Sequence, residues 1–222
     1  MKIERKETIH NDNQPGLPEP TIRRLPWYLA YIHMLASKRE ETVSSTAISR
    51  ETGIDASLVA KDLSLLGSKG RPRVGYNVND LMHELSDLLG FRRRHNALMI
   101  GVGQLGGALL ADSGLASYGL NIVAGFDVNP AVIGKQISGV PVYGIDTLQE
   151  RRAGLGAEIA VIAVPVDKAQ EAADIAVKAG IKALWNFTPY RIRTSPEIVI
   201  QNTSIYSHLA VMYNRLAAKN RS

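Results

Sequence analysis

The chain has 222 residues, 45% of them apolar and 21% charged, which is ordinary for a globular protein and enough for two compact domains. It contains no cysteine, which excludes disulfides, cysteine-held metals, iron–sulfur clusters and thiol redox sensing. A formal charge of +5 is compatible with nucleic acid without demanding it, and the placement of the charges says more than their sum.

Residues 1–20 are charged and rich in proline and asparagine, which predicts a flexible tail. They lack the apolar run of a signal peptide, and no later stretch approaches the roughly 20 apolar residues of a membrane span, so a cytoplasmic protein with no membrane contact is expected. Leu25, Tyr28, Leu29, Ile32 and Leu35 then recur at helical spacing, with Pro26 suited to the first turn.

Ser44, Ser45 and Thr46 are N-cap residue types and predict a helix over about 46–51, which Gly53 ends in the left-handed conformation. A second helix restarts at Asp55 or Ala56 and runs through Leu58, Val59, Leu63, Leu65 and Leu66. Helix, turn, helix is the arrangement of a helix-turn-helix. The segment from Gly67 to Tyr76 is glycine-rich, and from Lys61 to Tyr76 four cations (Lys61, Lys69, Arg71, Arg73) face one anion, Asp62. Two short strands around it would make a wing. A helix from Val78 to Leu89 closes this unit, expected to span 21–92. Ser57 and Lys61 could reach a major groove, while Lys69, Arg71 and Arg73 could track the backbone or the minor groove. A helical oligomerisation domain with a solvated charged loop is the bland alternative.

Strand and helix alternate thereafter. Ala97–Ile100 is a strand, Leu105–Ser113 a helix, Asn121–Phe126 a strand. Val140–Tyr143 and Ile159–Val164 are further strands, Lys168–Ala179 a helix and Ala183–Asn186 another strand. Fully apolar strands in this alternation predict an α/β, Rossmann-like doubly wound parallel sheet over 93–202.

The first strand runs into Gly101-Val102-Gly103-Gln104-Leu105-Gly106. In a G-x-G-x-x-G between strand and helix, the first glycine permits the tight turn. The second lets the backbone approach a pyrophosphate, and the third lets helix and strand pack closely. The helix N-terminus offers N–H donors and partial positive charge. Asp127 follows about 20 residues later, where a carboxylate accepts hydrogen bonds from the adenine ribose. Its charge would repel a 2′-phosphate, so NAD(H) is expected over NADP(H). Val164-Pro165 and the run Trp185 to Pro189 end later strands at the ligand-binding edge. Each alone reads more simply as a rigid turn. The five histidines show no metal-ligand spacing, no metal is expected, and no catalytic set can be assembled.

Taken together, these residues resemble the Rex family of redox-sensing transcriptional repressors over roughly 21–209. The resemblance rests on Arg24-Leu25-Pro26-Trp27-Tyr28, Lys61-Asp62-Leu63-Ser64, Gly75-Tyr76-Asn77-Val78 and the glycine motif. Phe126-Asp127-Val128, Ile133-Gly134-Lys135, Val164-Pro165 and Asn186-Phe187-Thr188-Pro189 also match. It implies a homodimer whose C-terminal helix, within 203–222, is swapped to the partner, and a winged helix that leaves operator DNA when NADH rises. On it, Gly101 to Gly106, Asp127, Val128, Val164, Pro165, Asn186, Phe187 and Thr188 line the cofactor site. Ser57, Lys61, Lys69, Arg71, Arg73 and Tyr76 face DNA, and no hydride is transferred.

Three positions depart from the family pattern. Ala60 stands where an arginine is usual, Ser113 where a tyrosine is frequent, and Ser204 where an aspartate is common. The resemblance places Arg24, Ser113 and Ser204 in the polar network that reads redox state, yet a serine at 204 cannot form an ion pair with Arg24. Two alternatives stay open: a Rossmann oxidoreductase with a helical oligomerisation domain, and a repressor that senses another nucleotide such as a CoA ester.

Overall fold

The computed structural model describes residues 17–67 and 69–220. The tail expected over 1–20 lies outside the described residues as far as position 16, and the first helix already begins at Glu19. The chain divides into two compact units between Gly90 and Phe91.

The first unit contains α1 (Glu19–Ser37), β1 (Thr42–Val43), α2 (Ser45–Thr52), α3 (Ala56–Leu63), β2 (Tyr76–Asn77) and α4 (Val78–Leu88). Its core is the apolar stripe that sequence spacing marked: Leu25, Tyr28, Leu29 and Ile32 of α1 are buried with Ile48, Val59, Leu63, Leu81 and Leu85. Ser44 caps α2 by accepting from Ala47 N, Gly53 ends it at φ 70°, and Asp55 caps α3. The turn between α2 and α3 is therefore fixed by a left-handed glycine followed at once by a new N-cap. The structure corrects two boundaries. α3 stops at Leu63: Leu65 N and Leu66 N bond back only three residues, to Asp62 O and Leu63 O, and the Ser64 hydroxyl donates to Lys61 O, so the chain tightens into turns there. The two strands expected around the wing do not form as a pair. β2 instead pairs antiparallel with β1, which precedes α2, and a single bridge joins Arg71 to Gly75.

The second unit contains β3 (His95–Ile100), α5 (Gln104–Ala111), α6 (Ser113–Ser117), β4 (Leu120–Asp127), β5 (Gln136–Ile137), β6 (Val140–Gly144) and α7 (Leu148–Leu155). β7 (Ile159–Ile162), α8 (Ala169–Lys178), β8 (Ala183–Asn186), β9 (Val199–Asn202) and α9 (Ile205–Lys219) complete it. The sheet order is β5-β6-β4-β3-β7-β8-β9, parallel except for the β5–β6 hairpin. Strand alternation sends Leu98, Ile100, Ala160 and Ile162 to one face, where Ala169, Ala172, Ala173 and Ala176 of α8 pack closely. Met99 and Val161 point to the other face, with Val102, Leu110 and Val142.

The single helix expected over Leu105–Ser113 is two. Asp112 leaves the helical conformation at ψ 110° and its carboxylate accepts from Gly114 N and Leu115 N, so it caps a new helix rather than extending the old one. The strand expected to Val164 ends at Ile162, and Val166–Lys168 forms a 3-10 turn before α8. In this unit β5, α7 and β9 have no counterpart in the expectations. α7 buries only Leu148 and so lacks an apolar stripe. β9 is four residues long and mostly exposed.

Candidate functional site

β3 lies at the centre of the sheet, with β4 on one side and β7 on the other. The chain reverses direction across the sheet here, which makes the carboxyl end of β3 the topological switch point where such folds take ligands. A cavity of about 510 Å³ opens there. Its walls come from Ile100–Gly103 after β3, Phe126–Asn129 after β4, Ala163–Pro165 after β7, and Lys168 and Glu171 at the start of α8.

The three motif glycines have different reasons to be glycine. Gly101 sits at φ 88°, and a Cβ there would come 2.6 Å from the carbonyl oxygen of Ala163. A Cβ on Gly106 would collide with the carbonyl oxygen of Gly101. Both are demanded by the fold. Gly103 is not: its backbone is ordinary (φ −74°, ψ −158°) and a Cβ would meet nothing within 4 Å. The second glycine therefore keeps open a space that the protein does not fill, beside the N-terminus of α5, which has no side-chain cap. Uncapped N–H groups facing free space fit an anionic phosphate.

Asp127 Oδ2 accepts from Val102 N at 2.6 Å and Oδ1 accepts from Asn129 N at 2.8 Å. The carboxylate thus ties the glycine loop to the end of β4. Each oxygen keeps a second lone pair for a sugar hydroxyl. Of the residues expected to line a cofactor site, Gly101, Val102, Gly103, Asp127, Val128, Val164 and Pro165 meet on this cavity. Gln104, Leu105 and Gly106 lie on the helix that begins beside it.

Asn186, Phe187 and Thr188 are not on its walls. Asn186 is fully buried; its amide donates to Tyr190 O and Asn202 Oδ1, and its carbonyl accepts from Thr188 N and Oγ1. These groups organise the turn after β8, and the Phe187 ring packs 4.6 Å from Trp185. Lys168, Glu171, Asn129 and Ile145, which sequence did not single out, complete the cavity. Asn129 and Ile145 had the signal of following directly on β4 and β6, whereas Lys168 and Glu171, at the start of α8, had none.

In the first unit α3 presents Ser57, Ala60, Lys61 and Ser64 to solvent and turns Val59, Asp62 and Leu63 inward. Ser57 donates its hydroxyl to Asp55 at 2.5 Å, and that bond, with the N–H groups of Leu58 and Ser57, holds the Asp55 carboxyl below its ordinary value. Lys69, Arg71 and Arg73 are exposed on the wing, whose turn puts Arg73 at φ 64°. The Tyr76 ring is half-buried against Gly70, where a Cβ would come within 2.9 Å of it, so Tyr76 braces the wing.

Asp62 is 2% exposed. Arg24 donates to it from Nε and Nη2, both at 2.7 Å, Tyr28 OH at 2.8 Å and Thr21 Oγ1 at 3.1 Å. Burial pushes its carboxyl up, but the bonds from Arg24, Tyr28 and Thr21 outweigh burial and hold it below the ordinary value. Burial, then the bond to Asp62, pushes the Tyr28 hydroxyl up to about 12. The depressed Asp62 contributes stability that is complete above the ordinary carboxylate value near about 4 and is lost as pH falls through its folded value. The raised Tyr28 contributes stability complete below its ordinary value of 10.0 and lost as pH rises through about 12. Melting followed by circular dichroism should show the advantage of wild type over Tyr28→Phe shrinking between those two alkaline values. A constant advantage would contradict the assignment.

Arg24 is therefore held by α3, Ser113 opens α6, and Ser204 caps α9 by accepting from Ser207 N at 3.2 Å. Among the described residues no cluster of three His, Asp or Glu could hold a metal ion, and no helix is long and apolar enough to cross a membrane. No residue of α9 is buried; Ile205, Met212, Tyr213 and Leu216 are all more than half exposed.

Residues 16–64 match the family described as putative DNA-binding protein N-terminus, and residues 92–190 match the CoA binding domain family. The chain is 53% identical over 208 residues to the redox-sensing transcriptional repressor Rex of Bacteroides fragilis, covering 94% of each. It is 34% identical over 201 residues to the Rex of Clostridium botulinum, covering 90% of this chain and 96% of that one. Among solved structures, RSP in complex with β-NAD+ and operator DNA superposes with a TM-score of 0.87 at 32% identity, covering 93% of this chain and 95% of that one. RSP in complex with β-NADH superposes with a TM-score of 0.84 at 31% identity, covering 93% and 97%.

Proposed function

The chain belongs to the Rex family of redox-sensing transcriptional repressors, and from that premise we propose that it binds operator DNA as a homodimer and releases it when NADH rises relative to NAD+. The observation that carries the nucleotide half is Gly103, whose open space beside an uncapped helix and the Asp127 carboxylate suits a pyrophosphate and an unmodified ribose. Gly101 to Gly106 would hold the phosphates and Asp127 the adenine ribose. Val128, Val164 and Pro165 would border the adenosine. The CoA description fits the shared fold. CoA, however, carries a 3′-phosphate on that ribose, which a carboxylate at this position repels.

When bound, the cofactor supplies a nicotinamide ring that gains or loses a positive charge; in this reading it is a signal, and no hydride moves. A ligand shifts a conformational equilibrium only by its differential affinity for the two states, so NADH must favour a dimer whose two recognition helices no longer match two half-sites one DNA turn apart. Such a protein works in the cytoplasm, where its operator and both cofactor forms are present. Asn186 to Thr188 shape the turn beyond β8 in this reading and need not touch the ligand.

The test is fluorescence anisotropy with a duplex selected by the protein from a random palindromic library, without ligand, with NAD+ and with NADH. Selective release by NADH is the expected result. Equal operator affinity in both cofactors would overturn redox sensing. On the wing, replacing Lys69, Arg71 or Arg73 singly by alanine should weaken binding to every sequence alike and lower the salt slope by about one ion each. A slope unchanged in all three variants would remove the wing from the interface.

A further inference from the structure

α3 is an eight-residue helix. The face that meets DNA on the reading above carries Ser57 and Lys61, and the opposite face is held by two buried apolar side chains, Val59 and Leu63. Apolar burial is non-directional, so two such contacts choose the inward face of a two-turn helix but set its roll about its own axis less sharply than directional bonds do. Asp62, between Lys61 and Leu63, adds what they lack.

Its carboxylate receives four hydrogen bonds, and all four donors stand on α1 at Thr21, Arg24 and Tyr28. Those positions are three and seven residues apart, one face of a helix. Four donors fill the roughly four lone-pair sites of a carboxylate. The Arg24 pair is bidentate, which fixes the carboxylate plane as well as its distance. α3 cannot roll without stretching several of these bonds together. With side chains reaching about 5–6 Å from a helix axis, a roll of about 20° moves their tips by about 2 Å. That is enough to lose a bidentate contact to a base edge. It matters less to a phosphate contact, which long cations follow across a flexible reach.

We propose that Asp62 is a positioning residue for operator discrimination, clamping the roll of the recognition helix to α1 through Thr21, Arg24 and Tyr28. It touches no DNA itself. Its loss is expected to lower sequence discrimination and to spare the affinity for DNA of any sequence, a separation that simple loss of folding does not produce. The inference rests on the operator-binding reading and would hold whether or not the cofactor response does.

The experiment measures affinity for the selected operator and for a scrambled duplex of equal length, at several salt concentrations, in full-length wild type, Asp62→Asn, Tyr28→Phe and Thr21→Val. The last two remove one donor each and keep the side-chain volume, so they report even where Asp62→Asn fails to fold. Asp62→Asn should reduce the operator-to-scrambled ratio by about 10-fold and Tyr28→Phe by about 3-fold, with scrambled affinity and salt slope unchanged. NADH affinity, read by nucleotide fluorescence, should stay at the wild-type value. Ratios within about twofold of wild type in the folded variants, or equal losses on both duplexes, would overturn the proposal. A wild-type protein that does not discriminate at all would overturn the operator reading and this inference with it.

Discussion

Gly103→Val should abolish NADH binding, with affinity down by at least about 100-fold, or about 2.8 kcal/mol, while leaving the thermal melt where it was. The prediction turns on the difference among the three motif glycines. A side chain at Gly101 or Gly106 would strike backbone, so loss of binding in those variants would say nothing that loss of the βα turn does not. At Gly103 the backbone is in an extended region open to any residue and a Cβ meets no atom within 4 Å. A valine there costs the apo protein little and occupies the space a pyrophosphate needs. The variant should still hold its operator, and NADH should no longer release it. Isothermal titration with NADH and anisotropy with operator make the two measurements. An unchanged affinity for NADH would show that the dinucleotide lies elsewhere.

The paired substitution Met212→Asp with Leu216→Asp should convert the protein to monomers and reduce operator affinity by at least about 100-fold. α9 is fifteen residues long, and none of them is buried within the chain. Ile205, Met212, Tyr213 and Leu216 fall at helical spacing on one stripe and are each more than half exposed. A contiguous apolar stripe of this kind needs a partner, and in this family reading the partner is a second copy. Two carboxylates taken out of water at that contact carry a desolvation cost of several kcal/mol each, which surface pairing with Arg215 or Lys219 of the same helix, worth a few tenths, does not offset. A dimer that reads two half-sites gains the second by effective concentration, so a monomer loses nearly all of that term. Sedimentation equilibrium decides the first point and operator titration the second. A variant that sediments as a dimer would assign the stripe another role.

Much of this was legible because the responsible residues act locally. Gly53 and Asp55 mark the helix-turn-helix by backbone conformation and capping alone, and the glycine motif marks the βα turn by steric exclusion. One boundary that sequence missed is a place where a polar side chain overrode periodicity. Asp112 sits in an apolar helical run and ends it by capping the next helix. β9 is a strand because β8 offers a partner along 183–186, not because of its own pattern. Asn186 and Thr188 read from their place after a strand as a rigid turn and only the family resemblance made them ligand contacts; both are buried and hydrogen-bonded to each other in that turn. Asp62 was visible only as part of a motif and as the one anion of a basic segment. Its four donors come from residues 34 to 41 positions away, and no local rule reaches that far.

The wing closes on itself. Arg71 and Gly75 exchange backbone hydrogen bonds at 2.8 and 2.9 Å, and Val74 N returns to Arg71 O. Gly75, at φ 93°, sits so close to the Val43 carbonyl that no side chain fits. The tip is thus held by a main-chain clasp between Arg71 and Gly75, with Arg73 in the left-handed conformation at φ 64° inside it. For protein engineering, the side chains of Arg71 and Val74 are exchangeable without touching this clasp, whereas position 73, at φ 64°, suits glycine or asparagine best: the wing's charge is adjustable while Gly75 and the helices behind it stay as they are.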